Sequence, residues 1–384
     1  MTDLTALLAA NLPAYLRDLE TLVNTECGTH NKAGVDSVAR RMADRFREFG
    51  AQVTPVPQTK YGDMVYGFWR GKGKARVLLI GHMDTVYSDG TAAQFPFRRR
   101  GPHLMGAGVN DKKGGLHNGL YAVRAVVQSG FDQFGEIGIF CNSEEEIGSP
   151  ASREAYTPYA RGADASLILE SGRESGGIVS ARKGVGLYTL TVHGKSAHAG
   201  VEPEKGANAI LALARYLDAL PPLNGLQPGL TLNVGIVRGG TRANVVPDLA
   251  QAEIDLRVLR ASDAAAFEQA LREIAAREMV PGTSAQVSGG VANPPMEKTP
   301  ASARLAEYAK QAARELGFEV EDVATGGGSD GNYTAALGTP TLDGLGPVGG
   351  QSHNAMEEWL DEKTILPRAG MLAKLIVKIA EQAS

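Results

Sequence analysis

The sequence predicts an α/β protein in which an α+β domain is inserted. Its 384 residues exceed the length at which a single hydrophobic core keeps growing, so two domains are expected. Strand-like apolar runs alternate with helical patterns in the first part of the chain, and helical patterns return near its end. Between them, residues 186–193 alternate apolar and polar side chains, as half-exposed strands do.

The outer parts of the chain supply the α/β elements. Apolar residues at helical spacing predict helices over residues 2–24, 34–49, 116–128, 300–316 and 361–382, with a shorter one after Ser329. Short apolar runs bounded by polar or glycine-rich segments predict strands over residues 51–56, 64–70, 76–81, 136–142 and 166–169. Residues 88–110 are rich in Gly, Pro and polar side chains, which favours a long surface connection. Within it, Arg98-Arg99-Arg100 is expected to be a solvated hairpin edge.

The inserted domain begins after Arg182-Lys183-Gly184. Strands at 186–193, 230–238, 249–259 and 284–289 and helices at 206–219 and 262–279 follow in the order βαββαβ. That order is typical of a ferredoxin-like unit. The predicted domains are therefore residues 1–182 with 295–384, and residues 183–294.

Composition excludes several classes of function. A net charge of −4 and a pI near 6.0 provide no basic surface for nucleic acid. No apolar run reaches the roughly 18 residues of a membrane span, so no membrane partner is expected. The N-terminal segment lacks a signal peptide's positive region. The two cysteines lie far apart and make no disulfide framework, and we expect a cytoplasmic protein.

The apolar run Val77–Ile80 leads into Gly81-His82-Met83-Asp84. Side chains of alternate strand residues share a face, so His82 and Asp84 are expected to lie together. The histidine can then bind a metal or move a proton while the aspartate fixes its tautomer. The alternative is a surface pair at the end of a strand.

Acidic residues occupy three further loops that precede a helix or follow a strand. Asp111 lies between glycines just before the helix at 116–128, where an N-cap is the alternative role. Glu144-Glu145-Glu146 follows one buried strand and Glu170 another. Adjacent carboxylates repel unless a cation or water screens them, and a solvated acidic loop is the alternative. The C-terminal ends of strands in α/β sheets are where ligand sites lie.

These acidic residues, with His82 and a second histidine near the end of the chain, His353, make a nitrogen and oxygen ligand set for metal ions. Zn²⁺ accepts such a set, and Co²⁺ or Mn²⁺ could substitute. Five ligands suit two zinc ions that share one carboxylate, a site that activates a bridging water. The candidates are His82, Asp111, Glu146, Glu170 and His353. Glu145 is the candidate to take the water's proton and pass it to the leaving nitrogen.

Seven segments in this order resemble the co-catalytic dizinc metallopeptidases of family M20, over nearly the whole chain. The similarity is greatest to bacterial glutamate carboxypeptidases, which release C-terminal glutamate from folates and N-acyl glutamates. The segments are His82-Met83-Asp84, Gly108–Gly115, Glu144–Ser149, Leu169-Glu170, Gly194–Gly200 around His198, Thr325–Asp330 and His353.

The resemblance implies a zinc-peptidase domain with a mixed central sheet flanked by helices, and an inserted dimerisation or lid domain. It implies one zinc on His82, Asp111 and Glu170, and a second on Asp111, Glu146 and His353. Asp84 would orient His82, and Glu145 would be the general acid/base. His198 matches a histidine that reaches the neighbouring subunit's active site in family dimers and stabilises the oxyanion there. The expected assembly is therefore a homodimer through the inserted domain; the alternative for His198 is a polar loop residue.

Substrate recognition is assigned by the same resemblance. Asn244 and Arg257 match residues that bind the substrate's carboxylate, a role suited to the planar fork of Arg. The alternative for Arg257 is a salt bridge on the strand surface. Backbone N–H groups of the loop at Gly328 and Ser329 could also receive an anion, the alternative being a plain helix cap.

Three positions depart from the family pattern. Glu144 stands where Asp is common, and Lys112 where Met or another apolar residue is common. The segment 349–354 around His353 differs more from the glutamate-specific enzymes.

The expected reaction is hydrolysis of an amide beside a free carboxylate in a small-molecule N-acyl amino acid, folate-like compound or small peptide. The alternatives are a deacylase of the acetylornithine deacetylase type, a broad aminoacylase or a dipeptidase, and, in a different class, a non-catalytic metal-binding relative.

Overall fold

The computed structural model describes residues 2–383 and divides into two compact units. The first comprises Met1–Ser180, Lys298–Ala324 and Ser329–Ser384, and the second Ala181–Glu297 and Thr325–Gly328. The second unit thus begins at Ala181 and takes in a short segment, Thr325–Gly328, that the sequence pattern assigns to the other domain.

The elements before the insertion include the predicted ones in the predicted order, together with a helix at Ser152–Ala160 and a strand at Ile178–Arg182 that were not predicted. The helices are α1 (Leu4–Val23), α2 (Lys32–Glu48), α3 (Thr91–Gln94), α4 (Gly115–Gln128) and α5 (Ser152–Ala160). The strands are β1 (Gln52–Val56), β2 (Met64–Arg70), β3 (Arg76–His82), β4 (Arg98–Arg100), β5 (His103–Met105), β6 (Glu136–Asn142), β7 (Ala165–Ile168) and β8 (Ile178–Arg182).

The remaining elements complete both units. The second unit contains β9 (Gly184–His193), α6 (Ala209–Asp218), β10 (Thr231–Gly239), β11 (Leu249–Val258), α7 (Ala261–Ala275) and β12 (Ser284–Asn293). After it come α8 (Pro300–Glu315), β13 (Asp322–Thr325), α9 (Asp330–Ala336), β14 (Thr341–Leu342), β15 (Gly349–Gly350), β16 (Trp359–Asp361) and α10 (Glu362–Gln382).

A mixed six-stranded sheet organises the first unit. Its order is β1-β2-β6-β3-β7-β14, in which β6, β3, β7 and β14 run parallel and β1 and β2 pair antiparallel. Every residue of β6 is buried, as expected for a strand covered on both faces. One large core contains apolar residues of this sheet and of α1, α2, α4, α8 and α10. The predicted α/β class with a mixed central sheet is confirmed.

The segment 88–110 is more ordered than predicted. It contains the short helix α3 and the hairpin β4–β5, which joins a four-stranded sheet of order β15-β16-β5-β4. The hairpin expected at Arg98–Arg100 is present, but its pairing with a strand from the end of the chain was not predicted. The Arg98–Arg100 strand lies at the edge of that sheet, as expected.

The second unit is an antiparallel sheet with two helices. The strand order β10-β11-β9-β12, with the chain order βαββαβ, is the ferredoxin-like topology. Alternate residues of β9 and β11 are buried with apolar residues of α6 and α7, among them Leu190, Ile254 and Phe267. Within residues 2–383, no helix has both the length and the apolar content needed to cross a membrane.

Candidate metal centre

Three parallel strands bring the predicted ligands to one edge of the central sheet. Strand β3 pairs with β6 on one side and with β7 on the other, so the C-terminal ends of all three lie together. His82 is the last residue of β3, Glu145 and Glu146 follow β6, and Glu170 follows β7. This is the position at which parallel α/β sheets place ligand sites.

Asp111 lies between the two candidate histidines. It is in an irregular helical turn, Val109–Gly114, that precedes α4, and the N-cap of α4 is Gly114. The N-cap interpretation of Asp111 is therefore wrong. Its Oδ1 lies 3.3 Å from Nε2 of His82, and its Oδ2 lies 3.2 Å from Nε2 of His353. One carboxylate thus presents a different oxygen to each imidazole.

Asp84 holds the ring of His82. Nδ1 of His82 lies 3.0 Å from the backbone oxygen of Asp84 and 3.3 Å from its Oδ1. The Asp84 carboxylate also accepts the backbone N–H groups of Glu145 and Glu146 at 3.1 and 3.3 Å, and the Thr29 hydroxyl at 2.6 Å. Because two oxygens face Nδ1, the proton of a neutral ring belongs there. Nε2 is then left with a lone pair directed at the acidic cluster.

The other predicted carboxylates surround the same point. Oε2 of Glu146 lies 3.4 Å from Nε2 of His353. Oε1 of Glu170 lies 3.8 Å, and Oε2 of Glu145 lies 3.9 Å, from Nε2 of His82. The structure therefore brings together all five predicted ligands, Asp84 and Glu145.

This donor set fits a divalent metal. Ligand atoms held tetrahedrally at about 2.0–2.1 Å from an ion lie roughly 3.3 Å from one another, close to the separations found here. Nε2 of His82 is fully buried and has no hydrogen-bond partner in the described chain, which is costly unless something binds it. His82, Asp111 and Glu146 each offer an atom within 4.8 Å of the others.

The electrostatics of the site favour ionised Asp111 and a protonatable Glu145. Burial opposes ionisation of Asp111, yet the two imidazoles hold the pKa of its carboxyl well below the usual range. The Asp111 and Glu146 carboxylates raise the pKa of His353 to about 10, so a metal ion bound there must displace a proton. Burial raises the pKa of Glu145 well above its usual value. A carboxyl of that kind is suited to carry a proton during a reaction.

The three adjacent glutamates have separate roles. Glu144 is buried and turns away from the metal ligands. Its carboxylate accepts the backbone N–H groups of Ala151 and Ser152 at 3.0 and 2.6 Å, and the Ser152 hydroxyl at 2.8 Å, at the start of α5. The expected repulsion therefore involves Glu145 and Glu146, while the Glu144 carboxylate caps a helix.

Glu358 supports the centre and was not predicted. It is buried just before β16, and its carboxylate accepts the backbone N–H groups of Gly108, Asn110 and Asp111 at 2.8–2.9 Å. No local spacing identifies it, because its partners lie far away in the sequence.

In the second unit, His198 and Asn244 lie on neighbouring segments. The backbone oxygen of Asn244 accepts the N–H of Ala199, and His198 forms a bridge with Val245. Nδ1 of His198 accepts the N–H of Gly200 at 3.1 Å, which places the proton of a neutral ring on Nε2. Both side chains are exposed.

The remaining substrate-binding candidates have partners of their own. Nε and Nη2 of Arg257 donate to both carboxylate oxygens of Asp255 at 2.8 and 2.9 Å, which is the predicted strand-surface alternative. The backbone oxygen of Gly328 lies 3.4 Å from the guanidinium of Arg182. The Ser329 hydroxyl accepts the N–H of Gly331 and so acts as the N-cap of α9.

Two histidines and several carboxylates at one edge of a mixed sheet form a candidate metal centre, a kind of site that metal-dependent hydrolases use. The sequence profile of peptidase family M20/M25/M40 matches residues 78–378 of this chain. The chain belongs to that family, as the sequence motifs predict.

Known proteins similar to this chain include hydrolases with different stated activities. Carboxypeptidase G2 from Pseudomonas sp. (strain RS-16) is 30% identical over 376 residues, covering 96% of this chain and 89% of that protein. The aminopeptidase PepT of Bacillus cereus has a TM-score of 0.83 at 26% identity, covering 96% of this chain and 99% of that one. The YXEP protein of Bacillus subtilis, a dinuclear metal-binding M20 peptidase, has a TM-score of 0.76 at 17% identity, covering 97% and 99%.

Proposed function

We propose that this protein hydrolyses the amide bond next to a free carboxylate, releasing a C-terminal amino acid from an N-acyl amino acid, a folate-like compound or a small peptide. Glutamate is the first candidate for the released residue because the motifs resemble those of bacterial glutamate carboxypeptidases, and the 30% identity to carboxypeptidase G2 supports a carboxypeptidase. The observation that carries the proposal is the position of Asp111, with one carboxylate oxygen toward each of two histidines.

Two zinc ions are the proposed cofactors. His82, Asp111 and Glu170 would hold one, and Asp111, Glu146 and His353 the other, with Co²⁺ or Mn²⁺ as substitutes. When bound, such a pair supplies Lewis acidity toward the scissile amide and acidifies a water molecule. Asp84 keeps the His82 ring in the orientation and tautomer that a metal ligand needs.

Glu145 is the proposed general acid/base. It lies beside the proposed ligand Glu146, and its Oε2 is 3.9 Å from Nε2 of His82. The raised pKa of Glu145 supports a side chain that takes a proton from the attacking water and gives it to the leaving nitrogen. Its backbone N–H is fixed by Asp84, which limits the positions that the side chain can take.

His198 and Asn244 are proposed to contact the substrate in a homodimer. The tautomer of His198 leaves an exposed Nε2–H that suits an oxyanion. Strand β10 supports dimerisation, because it is an edge strand with Ile236 and Val237 41% and 55% exposed. An exposed apolar edge of this kind is a ready surface for a second copy of the chain.

Arg257, Gly328 and Ser329 are proposed to receive the substrate's carboxylate. Two nitrogens of Arg257 already donate to the carboxylate of Asp255, so the substrate would have to replace Asp255.

Cys27 and Cys141 are buried and unpaired, which supports a cytoplasmic site for the reaction.

The likeness to PepT favours an aminopeptidase acting on small peptides as the second candidate.

We would load the protein with Zn²⁺ and measure the amino acids released from two matched sets of substrates. One set contains N-acetyl derivatives of Glu, Asp, Leu, Phe, Arg and ornithine, and the other tripeptides with a free amino terminus. Release of Glu or Asp from the acetyl set supports the carboxypeptidase proposal. Cleavage of the tripeptides alone, at their amino end, replaces it with an aminopeptidase, and release of ornithine or neutral residues replaces it with a deacylase.

A further inference from the structure

A buried lysine lies against one of the proposed metal ligands. Lys112 follows Asp111 directly, and its side chain is completely buried. Its Nζ lies 2.7 Å from Oε1 of Glu170, a distance typical of a charge-assisted hydrogen bond. Oε1 is also the oxygen of Glu170 that faces Nε2 of His82, at 3.8 Å. The ammonium group therefore holds the atom that a metal ion at this position would bind.

The side chain of Lys112 lies next to two glycines. A Cβ added to Gly81 would lie 3.5 Å from Cε of Lys112, and one added to Gly115 would lie 3.6 Å from its Cγ. The aliphatic stem thus runs along two glycines while the ammonium reaches Glu170. Burying a charge is costly unless it is paired, so the contact with Glu170 satisfies both groups.

The other half of the centre has no such cation. Asp111 and Glu146 face Nε2 of His353 at 3.2 and 3.4 Å. Within residues 2–383, neither carboxylate forms an ion pair with a lysine or arginine. A divalent ion entering there meets two carboxylates and an imidazole, and among residues 2–383 no ammonium group competes with it for them. An ion binding Glu170 must share that carboxylate with the Lys112 ammonium or displace it, and in both cases it lies close to a positive charge.

We propose that Lys112 makes the two metal positions unequal. The position formed by Asp111, Glu146 and His353 binds tightly, and the position formed by His82, Asp111 and Glu170 binds weakly because Lys112 competes for Glu170. Lys112 is a positioning residue, acting through Glu170. This inference rests on the ligand set of the proposed function and does not depend on the substrate.

The test is a titration of the metal-stripped full-length protein with Zn²⁺ against a chromophoric chelator. We expect two bound ions whose dissociation constants differ by about 10- to 100-fold, because the Lys112 ammonium repels a cation at Glu170 and already bonds to its Oε1. The Lys112→Met variant removes that positive charge and should bind its second ion about 10- to 100-fold more tightly, so that the difference shrinks. The proposal would be overturned if the unmodified protein bound both ions with equal affinity, or if Lys112→Met bound the second ion with unchanged affinity.

Two further variants keep the result interpretable. Lys113 provides the control, because its ammonium donates to the backbone oxygens of Val23, Thr25 and Ala107 and forms no ion pair with a proposed metal ligand within residues 2–383. Lys113→Met should leave the ratio of the two constants unchanged. Glu170→Gln should lose the weak ion and keep the tight one; loss of the tight ion would overturn the assignment. Absence of amide hydrolysis by protein carrying two zinc ions would refute the proposed function and leave the metal titration unaffected.

Discussion

The carboxylate of Glu358 fixes the backbone of Asp111 by accepting its N–H group. Its Oε1 accepts the N–H of Asp111 at 2.9 Å and that of Asn110 at 2.8 Å, while its Oε2 accepts the N–H of Gly108 at 2.9 Å and the Tyr87 hydroxyl at 2.6 Å. Four donors thus converge on one buried carboxylate. Burial raises the pKa of Glu358, and the four donors favour its ionised form. The loop that presents Asp111 depends on this residue.

We expect Glu358→Gln to loosen the Asp111 loop. The amide group of Gln would face N–H donors and leave at least one of them without an acceptor, at a cost of about 1–3 kcal/mol in the free energy of unfolding. Zinc affinity should fall about 10- to 100-fold, because Asp111 is the shared ligand of the proposed pair. Denaturant unfolding and a zinc titration measure the two effects. The control is Tyr87→Phe, which removes one donor and keeps the carboxylate; equal losses of zinc affinity in both variants would contradict this role for Glu358.

Asp84→Asn tests the orientation of His82. The carboxylate accepts from Thr29 and from the N–H groups of Glu145 and Glu146, and it faces Nδ1 of His82. An amide group in its place would turn an NH₂ toward some of these donors. We expect zinc affinity to fall about 10- to 100-fold. Thr29→Val, which removes only the hydroxyl, should change zinc affinity much less, and unchanged affinity in Asp84→Asn would contradict the orienting role.

Local spacing was sufficient to predict the elements that form the core. The strand at 136–142 and the His82/Asp84 pair follow from apolar runs and from the two-residue period of a strand, both of which short stretches of sequence encode. Glu358 and Lys112 could not be assigned in this way, because their roles depend on contacts with residues distant in the sequence. The pairing of the hairpin in 88–110 with the end of the chain was not predicted for the same reason, since β5 pairs with β16. The direction of Glu144 also depends on tertiary structure, because its partner is the start of α5.

Glu145→Gln tests the general acid/base. Gln cannot take a proton from water, so hydrolysis should fall by about 10²- to 10⁴-fold, the usual contribution of such a group. Zinc content should remain that of the unmodified protein, because Glu145 is not among the proposed ligands. Turnover on the best substrate of the panel and zinc analysis of the same sample measure both. Unchanged activity would remove Glu145 from the mechanism.

The adjacent Glu144 provides the matched control. Its carboxylate accepts from Ala151 and Ser152 at the start of α5, so Glu144→Gln should lower the free energy of unfolding by about 1–3 kcal/mol. The folded fraction should retain most of its turnover. If Glu144→Gln and Glu145→Gln lost activity equally at the same folded fraction, the division of roles between them would be wrong.

His117 should make stability depend on pH. It is buried, both ring nitrogens lack hydrogen-bond partners in the described chain, and its Nε2 lies 3.6 Å from Asp18. Burial lowers the pKa of His117, and Asp18 offsets only part of that effect. In the unfolded chain His117 therefore binds a proton near pH 6.5, whereas in the folded protein it is still neutral at that pH. The free energy of unfolding should consequently decrease as the pH falls below about 6.5. The decrease should end once the pH passes below the lower, folded-state pKa of His117.

Denaturant unfolding of the unmodified protein and of His117→Leu between pH 5 and 7.5 isolates this contribution, because the other titrating groups are the same in both proteins. The free energy of unfolding of the unmodified protein, measured relative to that of His117→Leu, should rise as the pH increases from 5 to about 6.5 and then level off. Parallel curves would show that His117 is protonated equally in the folded and unfolded chains.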